Sequence, residues 1–494
     1  MKLFPARKSL LALLAFLALA APALAQDAPD RHPRPEARQE SHLVPFPPDA
    51  VSQHTLTLRG HSIAYTATAG TLALTDAQGQ TKANIFYVSF VRSGVKDSAH
   101  RPITYLFNGG PGAASAYLDI GAIGPRALDF GAQGDLPPQS DQVADNPDTW
   151  LPFTDLVFID PVGTGYSRAL GDADAAQKEF WGVKQDLAAL GEIIRLHLTR
   201  AGRIGSPIYL VGESYGGFRA ARLAYDLAGD QGLSPAGIVM ISPVIEFGLM
   251  SGGPMDPLPS ALRLPSYAAA YNPALREEAE RFALHDYLPA IVAGTADAEL
   301  YATVARLTGL DQDRIARWHG LIPLDAYVKD VRHDGRVVSR YDGTVSSPDP
   351  DPWSRDVNDD PVLDATIAPF TGAFLAYVRD ELGFKTDLPF VLLNHEVSRH
   401  WDWRGNQQSR GASEALGRAL ALQPKLKVMI AHGLADLQTP YMMSQYVRAH
   451  LPDGLGDRIA LKLYEGGHML YLHAASRAQL HSDAEAFYGA SPAE

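Results

Sequence analysis

Five residues, Gly212-Glu213-Ser214-Tyr215-Gly216, constrain this 494-residue chain more than anything else in it. They follow the apolar, β-prone run Ile208 to Val211 and precede the helix-forming stretch Phe218 to Ala228. Small residues two before and two after a serine let a strand and a helix approach closely through a tight turn, and that turn projects the hydroxyl above the end of the strand. The helix that begins there offers positive dipole density to a developing oxyanion. A serine that merely caps a helix needs none of this surrounding pattern. Ser214 is therefore the candidate nucleophile.

The rest of the chain supplies the sheet that such a turn needs. Ile103 to Phe107, Leu156 to Ile159, Gly237 to Ser242, Val428 to Ala431 and Ile459 to Tyr464 are mainly apolar runs, as strands buried on both faces are. Between them, Phe180, Val183, Leu187, Leu190, Ile194 and Leu198 recur at spacings of three and four, which predicts a helix packed on the sheet. Upstream, Leu56 to Leu58, Ile63 to Thr68, Thr71 to Leu74 and Ala83 to Val91 are β-prone runs separated by turn residues, and they predict an antiparallel edge. The alternation is lost from about 247 to 385. That stretch opens with a Pro-rich, Tyr-containing loop, Pro254 to Pro273, and has helical segments around Arg276 to Leu284 and Ala296 to Leu307 and a Ser/Asp/Pro-rich piece, Ser346 to Pro361. The expected architecture is α/β, with a mostly parallel central sheet and a largely helical inserted cap at 247–385 between core segments 44–246 and 386–494.

A serine hydroxyl needs a base, and the base needs an acid to fix its tautomer and stabilise its charged form. Strand-turn-helix nucleophiles of this kind are followed in chain order by the acid and then the base. Val428 to Ala431 leads into His432-Gly433-Leu434-Ala435-Asp436, and Ile459 to Tyr464 leads into Glu465-Gly466-Gly467-His468. Asp436 and His468 thus leave strand ends at the edge where Ser214 sits, because parallel strands share one carboxyl edge. His432 lies inside the acid loop and is poorly placed as a base. His395, His400 and His473 are better read as structural, and Asp436 could instead cap a helix starting near Tyr441. No histidine or carboxylate spacing matches a metal-ligand motif, so no metal or cofactor is expected.

Other features bound the setting. Lys2, Arg7 and Lys8 precede an apolar run from Leu10 to Ala21, and Ala23-Leu24-Ala25 supplies small residues, so residues 1–25 read as a secretion signal cut after Ala25. A secreted or periplasmic location follows. Residues 26–43 read as a flexible leader. The formal net charge is −13, and removing the three positive charges of the signal takes it to −16. With no basic patch, nucleic acid is not an expected partner. No later run is long enough to span a membrane. The chain has no cysteine, which excludes disulfides, thiolate catalysis and cysteine metal sites.

The Gly-rich loop Asn108 to Gly112, which follows the run ending at Phe107, completes a pattern. The blocks Asn108 to Gly112, Asp160 to Ser167 and Gly212 to Gly217, the Asp436 loop, and Gly466 to Met469 together resemble the serine carboxypeptidase family, in particular its cysteine-free bacterial members. The resemblance implies the α/β-hydrolase fold and release of the C-terminal residue of a peptide through an acyl-enzyme on Ser214. It implies that the amides of Gly110 and Tyr215 form the oxyanion hole, and that Asn108 and Glu213 bind the substrate's terminal carboxylate. The expected partner is a peptide with a free C-terminus. One departure stands out: the better-known eukaryotic members carry a second Glu just before a Gly-Pro, whereas this chain has Gly121-Ala122-Ile123-Gly124-Pro125. Hydrolysis of esters, or acyl transfer, by the same triad is the alternative.

Overall fold

The computed structural model describes residues 45–489, apart from 139–141, 172, 254, 408–409 and 453. The expected signal and leader lie outside the described residues. Among the described residues, three long strands open the fold: β1 (Ala50–Leu58), β2 (His61–Thr75) and β3 (Thr81–Arg92), joined as antiparallel neighbours. The two runs expected on either side of Gly70 are one strand, β2. Gly70 lacks the side chain that would collide with the Asp49 carboxylate, and Asp49 Oδ1 accepts from Thr71 N at 3.0 Å.

Six parallel strands continue the sheet: β4 (Ile103–Phe107), β5 (Asp155–Ile159), β6 (Ile208–Glu213), β7 (Gly237–Ile241), β8 (Lys427–Gly433) and β9 (Ile459–Tyr464). The order across the sheet is β1-β2-β3-β5-β4-β6-β7-β8-β9. This is the α/β-hydrolase arrangement, a mostly parallel sheet with an antiparallel N-terminal edge. Side chains alternate between two cores, as strand geometry requires. Ile208, Leu210, Ile238, Met240, Val428 and Ile430 enter one core. Tyr209, Val211, Val239, Ile241, Met429 and Ala431 enter the other.

Helices α1 (Val183–Arg200) and α2 (Tyr215–Asp230) cover the first face. The spaced residues Val183, Leu187, Leu190, Ile194 and Leu198 are all buried there, as is Phe180. Phe180 ends a separate short helix, because Gly182 is extended and pairs with Asp402, which breaks the continuous helix that the spacing predicts. The opposite face is closed by the last helix of the described chain, Ala474–Tyr488. Its Tyr488 stacks on Tyr209 with ring centroids 3.9 Å apart, and its hydroxyl lies 2.7 Å from Thr104 Oγ1 on β4.

Between β7 and β8 the chain leaves the sheet. Helix α3 (Leu258–Tyr271) stands where the prolines predict a loop, since Pro259 sits in its first turn, where no amide partner is needed, and the helix accommodates Pro265; α3 and the short helices after it gather a cluster of their own around Tyr267, Tyr287, Val304, Ile315 and Tyr327. Helix α4 (Leu363–Ala376) instead sends Phe370 and Phe374 into the core on the Tyr209 face of the sheet. No helix among the described residues is long and apolar enough to cross a membrane.

Candidate active site

Ser214 sits between β6 and α2 with φ 58° and ψ −120°, a conformation that non-glycine residues adopt only where the surroundings enforce it. The surroundings do so here. Ser214 N donates to Ile241 O at 2.9 Å, while Ser214 O accepts from Gly217 N at 2.9 Å and from Val244 N at 3.2 Å. The flanking glycines are steric requirements: a Cβ on Gly212 would lie 1.9 Å from Gly216 O, and one on Gly216 would lie 2.4 Å from Phe107 O. The turn can be this tight only because neither residue has a side chain.

Asp436 and His468 meet beyond the ends of β8 and β9. His468 Nδ1 lies 2.9 Å from Asp436 Oδ2, and both side chains are buried. Asp436 Oδ1 accepts from the amides of Gln438 and Thr439 at 2.9 and 2.8 Å, which locks the carboxylate in a local turn; the residue before the helix at Tyr441 is Pro440. Thr439 Oγ1 lies 2.7 Å from Asp436 Oδ2 and 3.0 Å from His468 Nδ1. Burial acts to lower the pKa of His468, but the charge and hydrogen bond of Asp436, with Glu213 behind them, carry it above the ordinary histidine value. His432 faces the interior, 2.8 Å from Ser444 Oγ, and burial pushes it down to about 4. His473 pairs with Asp342 at 3.1 Å, and His400 Nδ1 lies 3.0 Å from Glu396 O on a short exposed helix.

Ser214 and His468 line one cavity of about 160 Å³, together with Asn108, Gly110, Tyr117, Glu213, Tyr341 and other residues. Tyr215 is the first residue of α2, so its amide has no acceptor within the helix. Gly109 brings the neighbouring loop against it: a Cβ there would lie 2.6 Å from Tyr215 N and 3.0 Å from Ser214 Cβ. A larger cleft of about 570 Å³, around Arg314, Trp318 and Trp353, includes none of these residues.

Asn108 and Glu213 are in contact. Asn108 Nδ2 donates to Glu213 Oε2, and Asn108 Oδ1 accepts from Leu118 N at 3.2 Å. Both side chains are buried, and burial raises the Glu213 carboxyl to about 7, against the opposing pull of His468, Tyr471 and Asn108. Several partners carried no sequence motif. Tyr471 OH lies 3.0 and 2.9 Å from the two Glu213 oxygens. Arg219 of α2, fully buried, grips Asp186 of α1 at 2.7 and 3.2 Å and donates to Asn108 O at 2.5 Å, tying the loop after β4 to the nucleophile's helix.

The block Asp160 to Ser167 has a supporting part in this geometry. Asp160 Oδ1 accepts from Ser115 N at 2.8 Å, and Ser167 Oγ bridges Asp160 O at 2.6 Å and Phe86 N at 2.8 Å. Burial raises Asp160 to about 6. Asp119 is also fully buried, and neither of its oxygens meets a hydrogen-bond partner among the described residues. Burial, then the charge of Asp160, pushes its carboxyl well above the ordinary range.

Residues 64–234 match the family model described as serine carboxypeptidase. The human retinoid-inducible serine carboxypeptidase is 30% identical over 144 residues, 29% of this chain and 28% of that protein. Serine carboxypeptidase-like 51 of Arabidopsis thaliana is 35% identical over 128 residues, 25% of this chain and 24% of that protein. These matches therefore span only about a quarter of each relative's length. The crystal structure of a prohormone-processing carboxypeptidase from Saccharomyces cerevisiae superposes with a TM-score of 0.57 at 14% identity, covering 86% of this chain and 91% of that one. At that identity the likeness is one of fold. Residues 64–234 are thus similar to the serine carboxypeptidases, and the fold that carries this segment is that of the α/β-hydrolases.

Proposed function

We propose that the protein is a serine carboxypeptidase that releases the C-terminal residue of a peptide through an acyl-enzyme on Ser214. The observation that carries this reading is the buried Asn108–Glu213 pair, which lines the same cavity as Ser214. A hydrolase acting on neutral esters has no need of such a pair. A carboxyl that holds its proton up to about pH 7 can donate a hydrogen bond to a substrate carboxylate instead of repelling it. Asn108 Nδ2 supplies a second donor.

With the terminal carboxylate held there, the scissile carbonyl meets Ser214. Neutral His468 takes the hydroxyl proton through Nε2, while Asp436 at Nδ1 fixes the tautomer and stabilises the imidazolium. The amides of Gly110 and Tyr215 receive the oxyanion. His468 then protonates the leaving amine, and water attacking under the same base frees Ser214. Residues 247–385 act as the cap that shapes the cleft. Residues 1–25 direct export, so the mature protein begins at Gln26.

The test is mass spectrometry of N-blocked peptides incubated with the purified protein, each supplied as the free acid and as the C-terminal amide. Loss of one C-terminal residue, faster from the acid and absent with Ser214→Ala, is the expected result. Ester cleavage or acyl transfer without loss of a C-terminal residue would replace this reading with the alternative use of the same triad.

A further inference from the structure

Glu213 needs a partner that keeps it aimed at the substrate, and the stretch 121–125 offers no second acid for the task. Tyr471 reaches it instead from a different part of the chain. It lies three residues after His468, in the tight turn Leu470–Leu472, and is fully buried. Its hydroxyl lies within 3.0 Å of both Glu213 oxygens, so it and Asn108 Nδ2 hold the carboxyl from two sides. The acid-free stretch is itself shaped around this residue. A Cβ on Gly121 would lie 2.9 Å from the Phe370 ring and 3.2 Å from the Tyr471 ring, so these two rings fill the space that a side chain at 121 would need.

Resting on the carboxypeptidase reading, we propose that Tyr471 is a positioning residue for substrate recognition: its phenol takes the place of a second carboxyl, so that Glu213 alone, steadied by Tyr471 and Asn108, reads the C-terminus. The chemistry differs from that of a carboxyl pair. Burial and the neighbouring Glu213 push the Tyr471 hydroxyl far above its ordinary value, so it stays neutral wherever the enzyme works and adds no charge to repel a carboxylate. A phenol donates more strongly to ionised than to protonated Glu213, and so acts to lower the Glu213 pKa. The other groups that feel the Glu213 charge are His468 and Asp436 of the triad, Tyr117 after the Gly-rich loop and Tyr341 from the segment before β8.

Tyr471→Phe removes the hydroxyl and keeps the ring against Gly121. Glu213 then holds its proton to higher pH. The alkaline fall of kcat/KM for a free-acid peptide should therefore move up by on the order of one pH unit, while the profile for the amide keeps its shape. A 3,5-difluorotyrosine at 471 donates more strongly and should move the same limb down. A lowered but unshifted free-acid profile in the folded variant, judged by near-UV circular dichroism and phosphonate labelling of Ser214, would make Tyr471 merely structural and overturn the proposal. An infrared titration of the protonated carboxyl band, with Glu213→Gln as the blank, reads the same shift without substrate. It therefore decides the role of Tyr471 even if the peptide assays reject a carboxypeptidase: an unmoved band in Tyr471→Phe refutes the proposal, and a band persisting to higher pH supports it.

Discussion

Replacing Glu213 by Gln isolates the titration of this residue from its shape. The Gln carbonyl oxygen can go on accepting from Asn108 and Tyr471 while its amide faces the cavity, so packing and hydrogen-bond count are nearly kept. What disappears is a proton that comes and goes. On the proposed reading, recognition of a carboxylate in the parent protein requires protonated Glu213, whose pKa is about 7. Above that value kcat/KM for a free-acid peptide falls about tenfold per pH unit, or about thirtyfold by pH 8.5. The variant has no such group and should stay level over that range, overtaking the parent at alkaline pH. The acid side moves as well. Ionised Glu213 helps raise the pKa of His468, and His468 must be neutral to act as the base, so removing that charge shifts the acid limb to lower pH. A narrow bell should become a broad plateau. The assay is kcat/KM from pH 4.5 to 9 on matched acid and amide peptides. Superimposable free-acid profiles for parent and variant, or an alkaline fall that survives in the variant, would refute the reasoning.

Other perturbations follow from the same geometry. A phosphonate probe should label Ser214, and His468→Ala should lower kcat by about 10⁴-fold or more, with Asp436→Asn losing somewhat less; near-normal turnover in either would show that the wrong partner had been chosen. Arg219→Met leaves Asp186 buried and unpaired and should cost about 3–5 kcal/mol in a urea titration, with the added change Asp186→Asn recovering part of it. Asp119→Asn should raise Tm at pH 8 and leave it little changed at pH 5. The folded pKa of Asp119 lies above its unfolded value, so the native state holds a proton that the unfolded chain has lost, and stability falls as pH rises through that window. Equal Tm changes at the two pH values would contradict this.

That Ser214, Asp436 and His468 come together was legible because each leaves the end of an apolar strand, and a parallel sheet brings such ends to one edge whatever the intervening distance along the chain. His432 reads from the sequence as part of the acid loop, but β8 runs on to Gly433 and includes it, and its ring meets Ser444 in the interior. Tyr471 was not legible, because nothing local marks a tyrosine in a short turn as the partner of a carboxyl 258 residues away. Arg219 and Asp186 left a faint signal, a charge on the otherwise apolar face of each helix, but periodicity alone does not say that the two charges meet. The region from 247 to 385 was legible as helical and no further. Apolar spacing shows that a helix buries a face, and does not say that α3 packs in a cluster of its own while α4 joins the main core.

The contact between Thr104 and Tyr488 joins residues 384 positions apart. β4 lies inside the sheet, yet one face of it is completed only by a helix near the end of the chain. At roughly 5–20 residues per second, a ribosome that has made β4 needs a further 20 to 80 s, approximately, to deliver that helix. Throughout that interval the face bearing Thr104 and Tyr209 lacks its cover, and early strands that pair leave an apolar, aromatic surface open to other chains. The face bearing Thr104 and Tyr209 is therefore finished only when residues 474–488 arrive, and a chain stopped short of them carries Ser214, Asp436 and His468 on a sheet with part of one face uncovered.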